Sequence, residues 1–532
     1  MKFVNFEPLS PLMFLERASK IYNNRTAFVD RNIRKTFGEF SNDCFDLATS
    51  LKSHGVQARD RISYLCRNSY QMIIAHYAVP MLGCILVPIN TRLESSSVCH
   101  VLDHSGSKML VAEHDLFNSE YMHFVEKVVL INKHKLEFVN EKILDYMHFI
   151  SRSKGDKRIN CWDLTDENSI ISINYTSGTT GQPKGVMCTH RSAYLNALGE
   201  CLQTGLTNQS KYLWILPMFH CNGWCFTWAV TAVGATNFCT DSLNPDDLVN
   251  VIFENKITHL CAAPIILLNI LEATNIALLK KCNNIKIVTA GSSPSKKIIE
   301  QYKEFNVTII HVYGLTETYG PHSICEQQDN WNAISNEDLS GLKVRQGVVG
   351  VHSTYMRVVN KNMQDVPHDG KSIGEVIMRG NNVMKGYYND HKSTQNAFRG
   401  GWFHSGDAAV VHPDCYIEIK DRIKDIIISG GENISSIEVE KILCQHPAIS
   451  IAAVVPMFDA RWGEVPHAII ELKQEATITS EELIGFCKKH IASYKCPKII
   501  TVATLPKTST GKIKKYILKK KYFYLNEAEI IN

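Results

Sequence analysis

At 532 residues the chain is too long for a single core, and length alone sets a prior of roughly two to four domains. Its 45% hydrophobic and 21% charged composition is that of an ordinary globular protein. A net charge of +4 spread over that length gives no electrostatic case for binding nucleic acid or an acidic membrane.

In chain order, the N-terminal MKFVNFEPLSPLMF sets Glu7, Pro8 and Pro11 where a secretory leader would carry an unbroken apolar core, so no leader is expected. RISYLC (61–66) reads as a strand. The run at 70–89, YQMIIAHYAVPMLGCILVPI, nears membrane length, but Gln71, His76, Pro80, Gly83 and Pro88 interrupt it. It predicts a buried helix turning into a buried strand rather than a transmembrane span. KMLVAE (108–113), SIISINY (169–175), IKIVTAG (285–291) and VTIIHVYG (307–314) read as further strands, and 69–80 and 294–305 carry helical periods. This alternation predicts an α/β architecture with largely parallel, buried sheets. From residue 401 the pattern changes to a hairpin, a short charged link and a new strand. Then follow a helix (SIEVEKILCQHP), a strand (ISIAAVVPM) and a helix (SEELIGFCKKHI) for which Ser480 is the expected cap. That is a complete small domain of roughly 110 residues, with its boundary near Lys420–Arg422.

The seventeen cysteines are scattered, odd in number and without a C-x-x-C, and are read as reduced. Cys221 and Cys225 follow His220, but no third and fourth metal ligands accompany them. The chain ends EIIN rather than S-K-L, and a cytoplasmic protein is expected.

YTSGTTGQPKG (175–185) holds four hydroxyls besides the tyrosine, three glycines, a proline and one lysine. It leaves the strand at 169–175, and open α/β sheets place ligands at strand ends. Glycines let successive backbone N–H groups turn inward to an anion, the hydroxyls add donors without bulk, and Lys184 adds one charge. Two readings stand: a phosphate grip, or a Ser/Thr/Gly linker. The Pro-Lys-Gly ending favours the grip. It is not a Walker A loop, because Pro183 stands where that motif needs glycine.

The segment resembles the signature loop of the adenylate-forming superfamily, which includes acyl-CoA synthetases, adenylation domains and luciferases. Five further segments resemble the family's landmarks in the same order: LPMFH (216–220), YGLTET (313–318), WFHSGD (402–407), KDRIKDIIISGGENI (420–434) and LPKTSTGKI (505–513). His311, two residues before Tyr313, departs from the Gln or Asn common in the family. It resembles the branch of plant-type acyl-activating enzymes and bacterial medium-chain synthetases.

The resemblance implies a large N-terminal ATP- and acyl-binding domain (1–420) of α/β sheets and a small, mobile α+β domain (421–532). It implies that Thr176, Ser177, Gly178, Thr179, Thr180, Gly181 and Lys184 hold ATP phosphates. Tyr313 and Gly314, with Gly291 and Ser292, flank adenine. Thr316 bonds the α-phosphate and Glu317 holds Mg²⁺. Asp407 and Arg422 take the ribose, and His220 lines the acyl channel with Trp224 and Phe226 nearby. Lys424 is the hinge, Gly431 borders a pantetheine channel, and Lys512 reaches the reacting carboxylate and phosphate. Lys514, Lys515 and Lys519–Lys521 read as a solvated basic tail. The implied reaction is adenylation of a short, medium-chain or aromatic carboxylic acid, then transfer to coenzyme A. A separate acyl carrier protein as acceptor is the alternative, and an inert nucleotide-binding regulator on the same fold is the second.

Overall fold

The structure, a computed structural model, describes residues 4–131, 141–151, 164–176, 183–240, 242–507 and 513–523. The chain packs into two compact units, one drawn from residues 1–178, 182–356 and 378–403, the other from 357–377 and from 404 onward.

Among the described residues the first unit holds an eight-stranded and a nine-stranded sheet. At the centre of the eight-stranded sheet Arg61–Leu65 pairs in parallel with Ile85–Pro88 and Ser107–Glu113, and Ile85–Pro88 pairs in parallel with Ile170–Thr176. These strands are buried on both faces, which explains their unbroken apolar runs. The run at 70–89 is a helix, Tyr70–Met81, followed by the buried strand Ile85–Pro88. The Ser69 side chain caps that helix by accepting from the Met72 N–H, and every helical residue except Gln71 is buried. No described helix is long and apolar enough to cross a membrane.

The strand after the hydroxyl-rich segment departs from the parallel expectation. Ile170–Thr176 and Lys184–Thr189 form an antiparallel hairpin, with Thr176 opposite Lys184. The segment 177–182 therefore joins two paired strands, rather than leading from a strand into a helix as in a βαβ unit. In the nine-stranded sheet the parallel strands Ile285–Thr289 and Val307–Leu315 lie side by side. A short 3₁₀ turn, Thr316–Thr318, then reverses the chain into the antiparallel strand Gly320–Ile324.

The second unit contains the hairpin Phe403–Val411 with Ile417–Arg422 and a five-stranded sheet centred on the long pair Ile449–Asp459 and Gly463–Leu472. Ser436–Leu443 and Ser480–His490 pack over that sheet around Val439, Leu443, Leu483 and Cys487. Thr479, not Ser480, caps the latter helix: its hydroxyl accepts from the Glu482 N–H, and Glu482 reaches back to the Thr479 N–H. The T-x-x-E box outcompetes the serine because both orphan donors are satisfied at once.

Candidate functional site

Tyr313 and Gly314 end the strand Val307–Leu315, and Thr316 and Glu317 open the turn that follows. Gly314 is required there, since a Cβ would lie 2.0 Å from the Gly320 carbonyl oxygen. The turn is pinned by the Thr318 hydroxyl, which accepts from the Leu315 N–H and lies 2.8 Å from the Gly320 carbonyl oxygen. Behind it the Asn196 amide donates to the Thr318 and Tyr319 carbonyls. The half-exposed Glu317 carboxylate projects from this fixed base and accepts a 2.8 Å hydrogen bond from the Tyr387 hydroxyl on Oε1.

Lys184, at the base of the hydroxyl-rich segment, comes to the same place. Its Nζ donates to the Ser393 hydroxyl at 2.7 Å and stands 5.0 Å from the centre of the Tyr387 ring. Gly386–Tyr387 is a two-residue strand paired with Lys184–Thr189, and Tyr387 lies opposite Val186. The helix His391–Ala397 follows at once, capped by Asp390. Hydrogen bonds from the Ser393 side chain and backbone, with the Lys184 charge nearby, hold the Asp390 carboxyl below its usual range. Tyr387, Asp390 and Ser393 were not singled out in the sequence.

His220 stands before five consecutive residues in the left-handed region: Cys221 (φ 44°), Asn222 (43°), Gly223 (59°), Trp224 (50°) and Cys225 (64°). Four of them are not glycine, and each costs about 1–2 kcal/mol in that conformation. Buried hydrogen bonds offset the strain. Asn222 Oδ1 accepts from the Ser172 hydroxyl at 2.9 Å and from the Asn174 amide at 2.8 Å, and the Thr227 hydroxyl donates to the Asn222 carbonyl. Ser172 and Asn174 are two apart on one strand, so they share a face; that polar pair in SIISINY was the available signal. A Cβ on Gly223 would lie 2.6 Å from the Trp214 ring.

The turn sets Cys221 so that its Sγ donates to the Thr316 hydroxyl at 3.3 Å. Burial pushes the Cys221 thiol up to about 12, so it stays protonated as a donor. Phe219, His220, Cys221 and Thr316, with Asn174 and Tyr175, line a cavity of about 30 Å³. Trp224 and Phe226 do not. Phe226 is fully buried and stacks on Tyr212 with centroids 5.0 Å apart, while the left-handed turn sets the Trp224 backbone against Gly320. A sequence distance of a few residues was a poor guide here because the chain reverses its hand between them. Cys225 Sγ donates to the Tyr319 carbonyl, and no group of three metal-binding side chains occurs among the described residues.

Gly291 (φ 87°) and Ser292 are exposed in the turn after Ile285–Thr289, and no atom lies within 4 Å of a Cβ added at Gly291. None of the described cysteines is joined in a disulfide.

In the second unit Asp407 and Arg422 are cross-strand partners, with Arg422 Nε 2.8 Å from Asp407 Oδ1. Arg422 also donates to the Ser405 carbonyl, and the Ser405 hydroxyl accepts from the Asp407 N–H. Lys424 lies in the 3₁₀ turn Ile423–Asp425, and desolvation lowers its ammonium from the usual lysine range. Gly430 (φ 58°) and Gly431 (φ 89°) turn the tight hairpin between Ile427–Ser429 and Glu432–Ile434.

The basic tail is only partly solvated. Lys515 lies 2.6 Å from Glu440 Oε1 and donates to the Ser436 hydroxyl, while Asp421 accepts from the Ser436 N–H and hydroxyl. Burial alone would lower the Lys515 ammonium; Glu440 and Asp421 hold it above its ordinary value. Lys519 pairs with Asp425 at 3.0 Å and donates to the Lys424 carbonyl. A run of like charges looked solvated, but the helix Lys515–Tyr522 turns Lys515 and Lys519, four apart, toward acids distant in sequence.

Ser177, Gly178, Thr179, Thr180, Gly181 and Lys512 lie outside the described residues. On the flanks of Lys512, Lys507 and Ile513 form an antiparallel bridge, and the Lys514 N–H donates to the Pro506 carbonyl.

Comparison with known proteins matches the AMP-binding enzyme family model over residues 15–388 and the AMP-binding enzyme C-terminal domain over 438–512. The chain belongs to the AMP-binding enzyme family. It is 41% identical to 4-hydroxybutyrate–CoA ligase 2 of Metallosphaera sedula, covering 97% of this chain and 94% of that one. It is 38% identical to the peroxisomal trans-cinnamate:CoA ligase of Petunia hybrida, over 97% and 94% of the two chains. Among solved structures, o-succinylbenzoate coenzyme A synthetase from Bacillus subtilis with ATP and magnesium ion is similar at a TM-score of 0.81 and 27% identity, covering 95% of this chain and 99% of that one.

Proposed function

We propose that this protein is an AMP-forming carboxylic acid–CoA ligase acting on a small acid. The observation that carries the reading is the convergence of Lys184, Thr316, Glu317 and Tyr313 on one end of the first unit, in a chain similar to CoA ligases over nearly all its length. In the first half-reaction the substrate carboxylate attacks the α-phosphorus of ATP, forming acyl-AMP and releasing pyrophosphate. Two anions must meet, so the protein's task is charge neutralisation and positioning. Lys184 supplies a cation for the phosphates, the Thr316 hydroxyl a donor to the α-phosphate, and Asp407 with Arg422 a ribose clamp. His220 faces the acyl carboxylate, and Gly291, Ser292, Tyr313 and Gly314 flank adenine. Lys512 stabilises charge on the reacting oxygens.

Glu317 fits a Mg²⁺ site: its carboxylate is half-exposed, and among the described residues no donor reaches Oε2. A hard oxygen ligand of this kind suits an ion that takes its other ligands from phosphate and water. When bound there, Mg²⁺ neutralises phosphate charge during adenylation. In the second half-reaction the coenzyme A thiol attacks the acyl carbonyl and AMP leaves. Residues 1–420 are proposed as the large domain and 421–532 as the mobile one, with Lys424 as hinge and Gly431 beside the pantetheine.

The cavity beside His220 is small, about 30 Å³, against roughly 300–1,000 Å³ for typical ligand pockets. Relatives named for 4-hydroxybutyrate, acetate and butyrate support the short end of the acid range. Pyrophosphate release measured with acids from acetate to palmitate and with benzoates tests this; short acids should be turned over fastest, and preference for palmitate would overturn it. Coenzyme A is favoured as acceptor over a carrier protein by the ligase relatives. The protein is assigned to the cytoplasm, which cell fractionation checks against the peroxisomal site of several plant relatives.

A further inference from the structure

Tyr387 lies between the two groups that the proposed mechanism needs most at the phosphates, and it touches both. Its hydroxyl donates to Glu317 Oε1 at 2.8 Å, and the Lys184 ammonium stands 5.0 Å from its ring centre. The residue is itself fixed from several directions. Its N–H donates to the Thr394 hydroxyl at 2.9 Å, and its backbone is paired with the strand that begins at Lys184. The preceding Gly386 has φ 145°, and a Cβ there would lie 2.8 Å from the Thr394 methyl, so the chain must pass this point without a side chain. Ser393, one residue before Thr394, takes the Lys184 Nζ at 2.7 Å, and the Met384 N–H donates to the Glu317 carbonyl at 2.7 Å. Residues 384–394 thus hold Glu317 by backbone and side chain, and Lys184 by ring and hydroxyl.

We propose that Tyr387 is a positioning residue that orients the Glu317 carboxylate for Mg²⁺ and couples it to Lys184. A hydroxyl on one carboxylate oxygen removes the freedom of the group to rotate, directs the other oxygen outward and leaves its negative charge in place. Partners of this kind are as important to a metal site as its ligands. The cation over the ring makes the two halves interdependent: moving the ring moves both the carboxylate and the ammonium. This inference rests on the reading of Glu317 as a metal ligand.

Tyr387→Phe separates the parts, since it keeps the ring under Lys184 and removes only the hydroxyl. The test follows the thermal shift produced by a fixed ATP concentration while MgCl₂ is titrated from an EDTA-treated start, with acid KM measured in parallel. The Mg²⁺ concentration for half-maximal shift should rise on the order of tenfold, with the unliganded Tm and acid KM unmoved. Tyr387→Ala should in addition weaken the shift given by ATP in EDTA, because Lys184 loses its support. Glu317→Gln serves as the control for the reading beneath. If it raises the Mg²⁺ requirement and Tyr387→Phe does not, Glu317 is the ligand and the positioning role is overturned. If neither variant moves the titration, the metal assignment itself fails. A Tyr387→Phe protein that loses unliganded Tm, with ATP, Mg²⁺ and acid constants all degraded together, shows a merely structural tyrosine and also overturns the proposal.

Discussion

Lys184 shows how a residue's surroundings modify what its motif implies. In the sequence it is one cation at the end of a glycine- and hydroxyl-rich segment, with a solvated linker as the rival reading. In the structure it is half-buried, on the first residue of a strand, bonded to Ser393 and set over Tyr387. Lys184→Ala should therefore cost about 1 kcal/mol of unliganded stability, the scale of one hydrogen bond and one exposed cation–π contact. Its larger effect should be on nucleotide: the ATP KM should rise while the acid KM barely moves, as steady-state kinetics varying each substrate in turn would show. The motif pointed to the lysine. It could not disclose Tyr387 or Ser393, some two hundred residues downstream, because the pairing of Gly386–Tyr387 with the strand at Lys184 is a long-range contact without a local signature.

Among the elements, the left-handed turn after His220 concentrates strain beside the cavity. Its stability depends on Asn222, whose side chain collects two buried hydrogen bonds. Asn222→Ala should destabilise by about 2–3 kcal/mol, since it strands buried donors and leaves an alanine at positive φ. Asn222→Gly should be milder, because glycine accepts that backbone; equal losses in denaturant titrations would show that strain contributes nothing. The helix His190–Thr204 poses another question. Asn196 on it supports the Thr316–Thr318 turn, while Glu200, one helical turn further on, is buried with no hydrogen-bond partner for either oxygen among the described residues.

Desolvation raises the Glu200 carboxyl well above its ordinary value near 4.5. A group that binds its proton more tightly folded than unfolded stabilises below the unfolded value and loses that contribution as pH rises toward the folded one. Glu200→Gln should accordingly gain stability relative to the parent as pH climbs above about 4.5, which melting curves across pH would record. A parallel pair of curves would mean that Glu200 titrates normally. Strands and helices of this kind were largely legible: the apolar run at 61–66 and the end of the run at 70–89 are strands because sheets buried on both faces need them so. The antiparallel turn of Lys184–Thr189 was not legible, since a strand's partner and direction are set by tertiary contacts rather than by its own pattern.

For the chain as a whole, the proposed reaction has two half-reactions, and Lys512 is proposed to act in the first alone. Lys512→Ala should slow adenylation by the equivalent of about 3–4 kcal/mol, while thioester formation from preformed acyl-AMP and coenzyme A stays near the parent rate. Equal slowing of both, in single-turnover assays, would refute the division of labour. The sequence reading set the domain boundary near Lys420–Arg422, whereas the packing draws the second unit from 404 onward and also gathers 357–377 into it. Chain order alone does not show such an exchange, because short strands far apart in sequence complete one sheet.

In the proposed reaction a carboxylate oxygen bonds to the α-phosphorus of ATP and later leaves with AMP. Turnover of a short acid labelled with ¹⁸O in both carboxylate oxygens, with ATP, Mg²⁺ and coenzyme A, tests it by mass spectrometry of the products. Acyl-CoA, pyrophosphate and AMP should form in equal amounts, with one ¹⁸O atom in each AMP. Unlabelled AMP, or release of ADP and phosphate in place of AMP and pyrophosphate, would contradict it.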